Sequence, residues 1–210
     1  MVIHGCDIRS WDSSVVRMLV VRRIGKLSSH WRVSVRAMSE SKIEEATLGG
    51  GCFWCVEAVF LAQPGVSSVK SGYSGGHKDN PTYKEVCAGT TGHAEVCRIQ
   101  FDPSKTSFGS LLDVFFHAHD PTTLNRQGND VGTQYRSVIF YHSEEQKRVA
   151  EERKIAAQKD WPSPIVTEIS PLTNYFEAED YHQNYFALHK EAPYCSYVIA
   201  PKLKKLGIAF

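Results

Sequence analysis

The first 40 residues contain no long hydrophobic run. The longest stretch there, Met18–Val21, is too short to cross a bilayer or to form the apolar part of a secretory signal. A charge excess of either sign is also missing. A net charge of +1 over 210 residues offers no footprint for nucleic acid or another polyanion. No nucleic-acid or membrane partner is therefore expected. In the absence of a secretory signal, the six cysteines at 6, 52, 55, 87, 97 and 195 do not suggest a disulfide framework. They are read as free thiols, some of them reactive. No internal repeat is found, and no low-complexity tract follows the first 40 residues, so one core with a tail is expected.

Residues 13–39 have no Asp or Glu at all, but six Arg or Lys and six Ser. Residues 1–38 carry seven basic and two acidic side chains, leaving an acidic balance in the remainder. Such an Arg- and Ser-rich, acid-poor segment resembles an organellar transit peptide. Residues 1–40 are accordingly expected to be a disordered tail or a mitochondrial transit segment, with 41–210 a single domain. The location implied is mitochondrial or cytoplasmic.

What the chain does have is organised around Gly49–Ala58, GGGCFWCVEA. Three consecutive glycines should break regular structure and allow a close backbone approach. Ile43–Leu48 reads as a strand. Val56, Val59 and Phe60 give helical spacing to Phe53–Ala62. Cys52 then lies at a strand-to-helix turn, where unpaired N–H groups and the helix dipole favour a nucleophilic thiolate. A buried core cysteine is the competing reading, and the glycines favour the reactive one.

Further along, Pro64-Gly65 turns the chain into a strand, Val66–Tyr73. A long polar loop, Ser74–Gly92, leads to a strand at His93–Phe101. Ser107 caps a helix with Phe108, Leu111, Leu112 and Phe115 on one face. After a loop from His119 to Gly132, a strand is expected over Gln134–Tyr141. Ser143 and Gln146 form a capping box for a polar helix to about Asp160, and Pro164–Ile169 reads as another strand. A helix around Glu177–His189 and an ordered, aromatic-rich C-terminal tail complete the chain. The order β-α-β-β-α-β predicts an α+β fold with a ferredoxin-like split βαβ core and a mixed, mostly antiparallel sheet.

Alternation on His93–Phe101 puts Glu95, Cys97, Ile99 and Phe101 on the apolar face, opposite Ala94, Val96, Arg98 and Gln100. A buried carboxyl would have a raised pKa and could act as a general acid. A solvated, salt-bridged Glu95 at the strand's end fits the pattern equally. Cys52 and Cys55 have the spacing of thiol–disulfide exchange pairs, although helical i, i+3 geometry is slightly wide for a disulfide. Zinc is a competing use, but Cys87, Cys97 and His93 provide no second close ligand pair. Tyr83 and Tyr135 could each donate a hydrogen bond to an oxygen or simply pack. By composition alone Asp130 is a turn residue.

Together, GCFW, GYSGGHKDNPTYKEVCAGTTGHAEV, HDPT, NRQGNDVGTQYRS and AEDYHQNY resemble the A-type peptide-methionine sulfoxide reductases, from about Ala46 to Lys205. The resemblance implies that Cys52 attacks the sulfur of a methionine S-sulfoxide, free or in oxidised proteins. Glu95 would protonate the sulfoxide oxygen, and Tyr83 and Tyr135 would help hold it. Phe53 and Trp54 would receive the S-methyl group, while Asp130 orders the site. The product would be a Cys52 sulfenic acid, resolved by a second thiol and recycled by thioredoxin, without cofactor or metal, in a monomer. Many family members have Gly in place of Cys55, and some carry two cysteines in a Gly-rich tail that is absent here. Cys195 resembles a resolving position and is expected to form the first disulfide, with Cys55 taking it over by exchange. A general thiol–disulfide oxidoreductase and a zinc-binding interaction module are the rival readings.

Overall fold

The computed structural model describes residues 42–210. Five strands, β1 (Glu44–Gly50), β2 (Val66–Ser74), β3 (Ala94–Phe101), β6 (Ser137–Tyr141) and β7 (Glu168–Pro171), together with the two-residue β8 (Phe176–Glu177), form one sheet in the order β7-β6-β1-β3-β2-β8. Only the β6–β7 pair is parallel. The four longer strands β1, β2, β3 and β6 stand in the order fourth, first, third, second, with α1 (Phe53–Leu61) and α3 (Phe108–Ala118) as crossovers. This is the split βαβ arrangement expected from the sequence. A short α2 (Tyr83–Cys87) follows β2, and α4 (Glu144–Ala157) connects β6 to β7. A hairpin of β4 (Arg126–Gln127) and β5 (Asp130–Val131) precedes a 3-10 turn, Thr133–Tyr135. The tail contains a 3-10 turn at Asp180–His182, α5 (Tyr185–Leu188), a π-helical turn at Cys195–Ile199 and α6 (Ala200–Lys205).

The core lies between one face of the sheet and helices α1 and α3, where Leu48, Phe60, Ile99, Phe101, Leu112 and Phe115 are buried. Cys97, Ile99 and Phe101 point into it, as alternation required. Ala94 and Val96 on the opposite face are buried too, with Val138 and Phe140, and the half-buried Leu172 and Tyr175 pack against them. Tyr175 also covers Arg98, whose guanidinium lies 3.9 Å from the ring centroid. The start of β3 is thus enclosed on both faces.

Several boundaries differ from the sequence expectation. Gly49 and Gly50 do not break β1; they pair with Val138 and Ser137 of β6. Their lack of a side chain serves close packing, since a Cβ on Gly49 would lie 2.7 Å from the Glu95 carbonyl oxygen. Only Gly51, at φ +90, requires the left-handed region. The strand expected from Gln134 begins at Ser137, and the strand expected over Pro164–Ile169 runs Glu168–Pro171. The long helix expected over Glu177–His189 is reduced to α5. Asn184 is left-handed, and the Glu57 carboxylate accepts the N–H groups of Asn184 and Tyr185, so helical structure begins only there. Ser143 accepts from the Gln146 N–H as expected, but the Gln146 side chain returns to the His142 N–H, one residue before the cap. The proposed transit segment lies outside the described residues. Among those described, no helix is long and apolar enough to cross a membrane.

Candidate active site

Gly51 and Cys52 make the whole connection between β1 and α1. Cys52 is the N-cap residue of α1, with non-helical backbone, and its side chain caps no N–H. The carboxyl of Glu95 takes that role: its Oε2 accepts the Phe53 N–H at 3.0 Å. Glu95 is 1% exposed and Cys52 8%. Close pairing of β1 with β3 and the bare Gly49 bring this carboxyl beside the cysteine.

Burial pushes Glu95 up to about 8, with Asp130 and Cys55 adding to the rise and the Phe53 N–H opposing it. The solvated alternative is thereby removed, and Glu95 carries its proton at neutral pH. The resting state of Cys52 runs against the sequence expectation. Desolvation, joined by a hydrogen bond with Cys55 and by the nearby Glu95, raises Cys52 well above the ordinary thiol value. The helix N-terminus does not prevail, because its first N–H is occupied by Glu95. Cys55 moves the other way, to about 7: the hydrogen bond with Cys52 outweighs burial, and Lys202 and Tyr194 assist. Cys52 therefore holds the proton of the pair.

Tyr83 is not in an irregular loop but opens α2, behind a capping box between Thr82 and Glu85. Its N–H donates to Glu179, whose other carboxylate oxygen accepts the Tyr73 hydroxyl. Tyr135 lies in the 3-10 turn rather than on a strand. Burial raises both the Tyr83 and Tyr135 phenols, and Glu95 adds to both shifts. They remain protonated donors around the carboxyl. Asp130, on β5, accepts the Tyr194 hydroxyl at 2.7 Å and so ties the tail to the site.

The apolar wall is built on α1. Phe53 packs against Tyr73, Tyr83 and His182, with centroids 5.9, 6.4 and 5.0 Å away. Trp54 stacks flat on Tyr185 at 3.6 Å and donates its indole N–H to His182 Nδ1. Sequence reasoning gave no role to His182, Tyr185, Tyr194 or Glu57. Two of them lie in the AEDYHQNY segment and Tyr194 adjoins Cys195. Glu57, a carboxyl among the apolar positions of α1, was a signal for a buried anchor.

The described cysteines separate clearly. Cys55 touches Cys52 by a hydrogen bond and lies 3.9 Å from the Tyr194 hydroxyl. Cys195 is buried in the π-helical turn, close enough for Cys55 to add to the rise that burial gives its thiol. Cys97 is a core thiol donating to the Phe53 carbonyl. Cys87 is exposed and bonds to the Tyr83 phenol. Among the described residues, no group of three or more His, Cys, Asp or Glu side chains is placed to hold a metal ion.

Comparison with known proteins agrees with this geometry. The profile of the family described as peptide methionine sulfoxide reductase matches residues 44–208. The chain is 59% identical over 163 residues to the peptide methionine sulfoxide reductase MsrA of Saccharolobus solfataricus, spanning 78% of this chain and 92% of that one. Its fold is similar to that of Mxr1 from Saccharomyces cerevisiae in reduced form, with TM-score 0.71 and 38% identity over 74% of this chain and 91% of the other. It is also similar to Mxr1 in complex with Trx2, with TM-score 0.51 and 26% identity over 70% and 86% of the two chains.

Proposed function

The chain belongs to the peptide methionine sulfoxide reductase family, and from that premise we propose how its residues divide the work. The protein reduces methionine S-sulfoxide, free or in proteins, through a cysteine that is recycled by thioredoxin. The observation that carries the assignment of roles is the buried, protonated Glu95 on the Phe53 N–H, beside Cys52. Sulfoxide oxygen leaves poorly until it is protonated, so a thiol nucleophile needs an acid next to it.

The substrate's S-methyl group rests against Phe53 and Trp54, and its oxygen lies among Glu95, Tyr83 and Tyr135. Cys52 attacks the sulfur while Glu95 gives its proton to the oxygen. Attack joins the Cys52 sulfur to the substrate sulfur. The protonated oxygen then moves from the substrate sulfur to the Cys52 sulfur. The substrate's S–O bond and the new S–S bond break, and methionine departs to leave a Cys52 sulfenic acid. Glu95 recovers the proton that Cys52 loses, so sulfoxide and thiol become sulfide and sulfenic acid without an external proton.

Cys55, rather than Cys195, is the resolving thiol that already touches Cys52. This supports a different order from the one expected from the sequence: Cys52–Cys55 forms first, and Cys195 then takes over the disulfide by exchange with Cys55. Because the Cys52 backbone is not helical, the pair is not confined to helical i, i+3 spacing. The resemblance to Mxr1 in complex with Trx2 supports thioredoxin as reductant.

Turnover of each methionine sulfoxide epimer with thioredoxin or dithiothreitol tests the reaction, and peptide mapping after one equivalent of sulfoxide tests the order. Reduction of the S epimer alone and a dominant Cys52–Cys55 peptide are expected. Equal turnover of the R epimer overturns the first claim, and a dominant Cys52–Cys195 peptide overturns the second.

A further inference from the structure

We propose that Lys202, on α6 of the tail, is a positioning residue for recycling: its ammonium holds Cys55 as the thiolate that attacks the Cys52 sulfenic acid. The proposal rests on the reading of Cys55 as the first resolving thiol. Lys202 and Cys55 line one narrow cavity behind the nucleophile, with Gly50, Val59, Phe115 and His119 among its other walls. Its volume is about 10 Å³, at the lower limit for a single water. Lys202 is half-buried at this cavity. So little water between two groups screens their charges less than open solvent does, which makes Coulomb interactions stronger than at a surface. Among the described residues, Lys202 makes no ion pair or hydrogen bond that would hold its charge elsewhere.

The other groups facing Cys55 come from every element packed around it. They are Cys52 on its own segment, Glu95 and Cys97 on β3, Asp130 on β5, His119 after α3, and Tyr194 and Cys195 in the tail. None of these is a cation. His119 is no exception: its Nδ1–H donates to the Phe115 carbonyl, its Nε2 accepts from Ser137, and burial lowers it to about 4. Lys202 is therefore the positive charge of this surround, and it favours the anionic form of Cys55.

The step balances within the protein. The Cys55 thiolate attacks the Cys52 sulfur, the S–S bond forms and the S–O bond breaks. The departing oxygen takes a proton from Glu95 and leaves as water. Cys55 is oxidised, and the sulfenic sulfur is reduced to the disulfide level.

The test is a single-turnover experiment with N-acetyl-methionine S-sulfoxide amide across pH 5.5–9, following sulfide release and thiol loss separately. Lys202→Met should leave sulfide release unchanged, slow disulfide formation about fivefold at pH 7 and move its pH midpoint up by about one unit. Lys202→Arg should restore the midpoint, and Lys202→Gln should behave like Met, guarding against a variant that folds poorly. Alkylation of Cys55 in Cys52→Ser should show the same upward shift when Lys202 is neutralised. Unchanged midpoints in Lys202→Met and Lys202→Gln overturn the role of Lys202. Disulfide formation at the parent rate in Cys55→Ser instead overturns the reading of Cys55, whatever Lys202 does.

Discussion

Trp54 donates its indole N–H to Nδ1 of His182 across 3.1 Å. An indole nitrogen can only donate, so Nδ1 must be bare and the imidazole proton must sit on Nε2. Burial, which lowers the His182 pKa, keeps the ring in this neutral form. Asn can present an acceptor where Nδ1 lies, whereas Leu cannot. His182→Asn should keep the parent KM, and His182→Leu should raise it about fivefold, the worth of one hydrogen bond of roughly 1 kcal/mol. On a Trp54→Phe background the two should converge. Steady-state kinetics of the four variants checks this, and a persistent gap without the indole would refute it.

Glu95→Gln should bind substrate normally and slow the chemical step by about 10²–10⁴. In the parent, the acid form disappears as pH rises through about 8, so the single-turnover rate should fall above that pH. Stability follows the same residue. Because its folded pKa is raised, the native state holds more protons than the unfolded state between the ordinary carboxyl value and about 8. The parent therefore loses stability with rising pH across that window, and Glu95→Gln does not. Melting temperatures from pH 5 to 8 should show the variant's advantage widening.

The order of the sheet was legible because Leu48, Val69, Ile99 and Ile139 sit in strands with clear pattern and turn signals. Cys52, Glu95 and the CxxC spacing were legible for similar local reasons. What could not be read is what folding back of the tail creates. Tyr194 meets Asp130 across 64 positions and Asn184 meets Glu57 across 127. No periodicity encodes such contacts. The protonation of Cys52 was misread for a related reason: the sequence showed a helix start but not the carboxyl, 42 positions on, that takes its first N–H. The helix expected over Glu177–His189 failed because tertiary bonds to Glu57 outweigh local propensity.

Tyr194→Phe removes the hydroxyl that joins Asp130 to the tail and contacts Cys55. A hydrogen bond to a carboxylate is worth about 1.5–3 kcal/mol. The variant should melt several degrees lower, and thioredoxin-driven turnover should slow about tenfold while the first sulfide release stays within about threefold of the parent. Rapid-quench assays separate the two steps. An equal loss in both would place Tyr194 in the first step instead.

Deletion of residues 1–38 should leave turnover and melting temperature unchanged, since no residue of the proposed site lies there. Fused to a fluorescent reporter, that segment should direct import into mitochondria. Diffuse cytosolic fluorescence would exclude targeting by this segment.

Glu57 links the start of α1 to the tail. It lies one helical turn after Trp54, is 1% exposed, and accepts the N–H of Asn184 at 2.9 Å and of Tyr185 at 3.2 Å. Those bonds start α5 and hold Tyr185 flat against the indole, 6° from parallel. Glu57→Ala leaves two partly buried N–H donors without their carboxylate acceptor, at a combined cost of about 1–3 kcal/mol. It also frees the ring that fixes Trp54. Glu57→Gln keeps one acceptor but points amide hydrogens at backbone donors, so it should recover only part of the loss. Both variants should raise KM for the sulfoxide more than they lower kcat, because the methyl-binding wall is disturbed while Cys52 and Glu95 stay in place. Tyr185→Phe should be nearly silent, since stacking needs the ring and not its hydroxyl. Comparable KM values for Glu57→Ala and the parent, with the expected loss of stability, would show that Glu57 anchors the tail without shaping the wall.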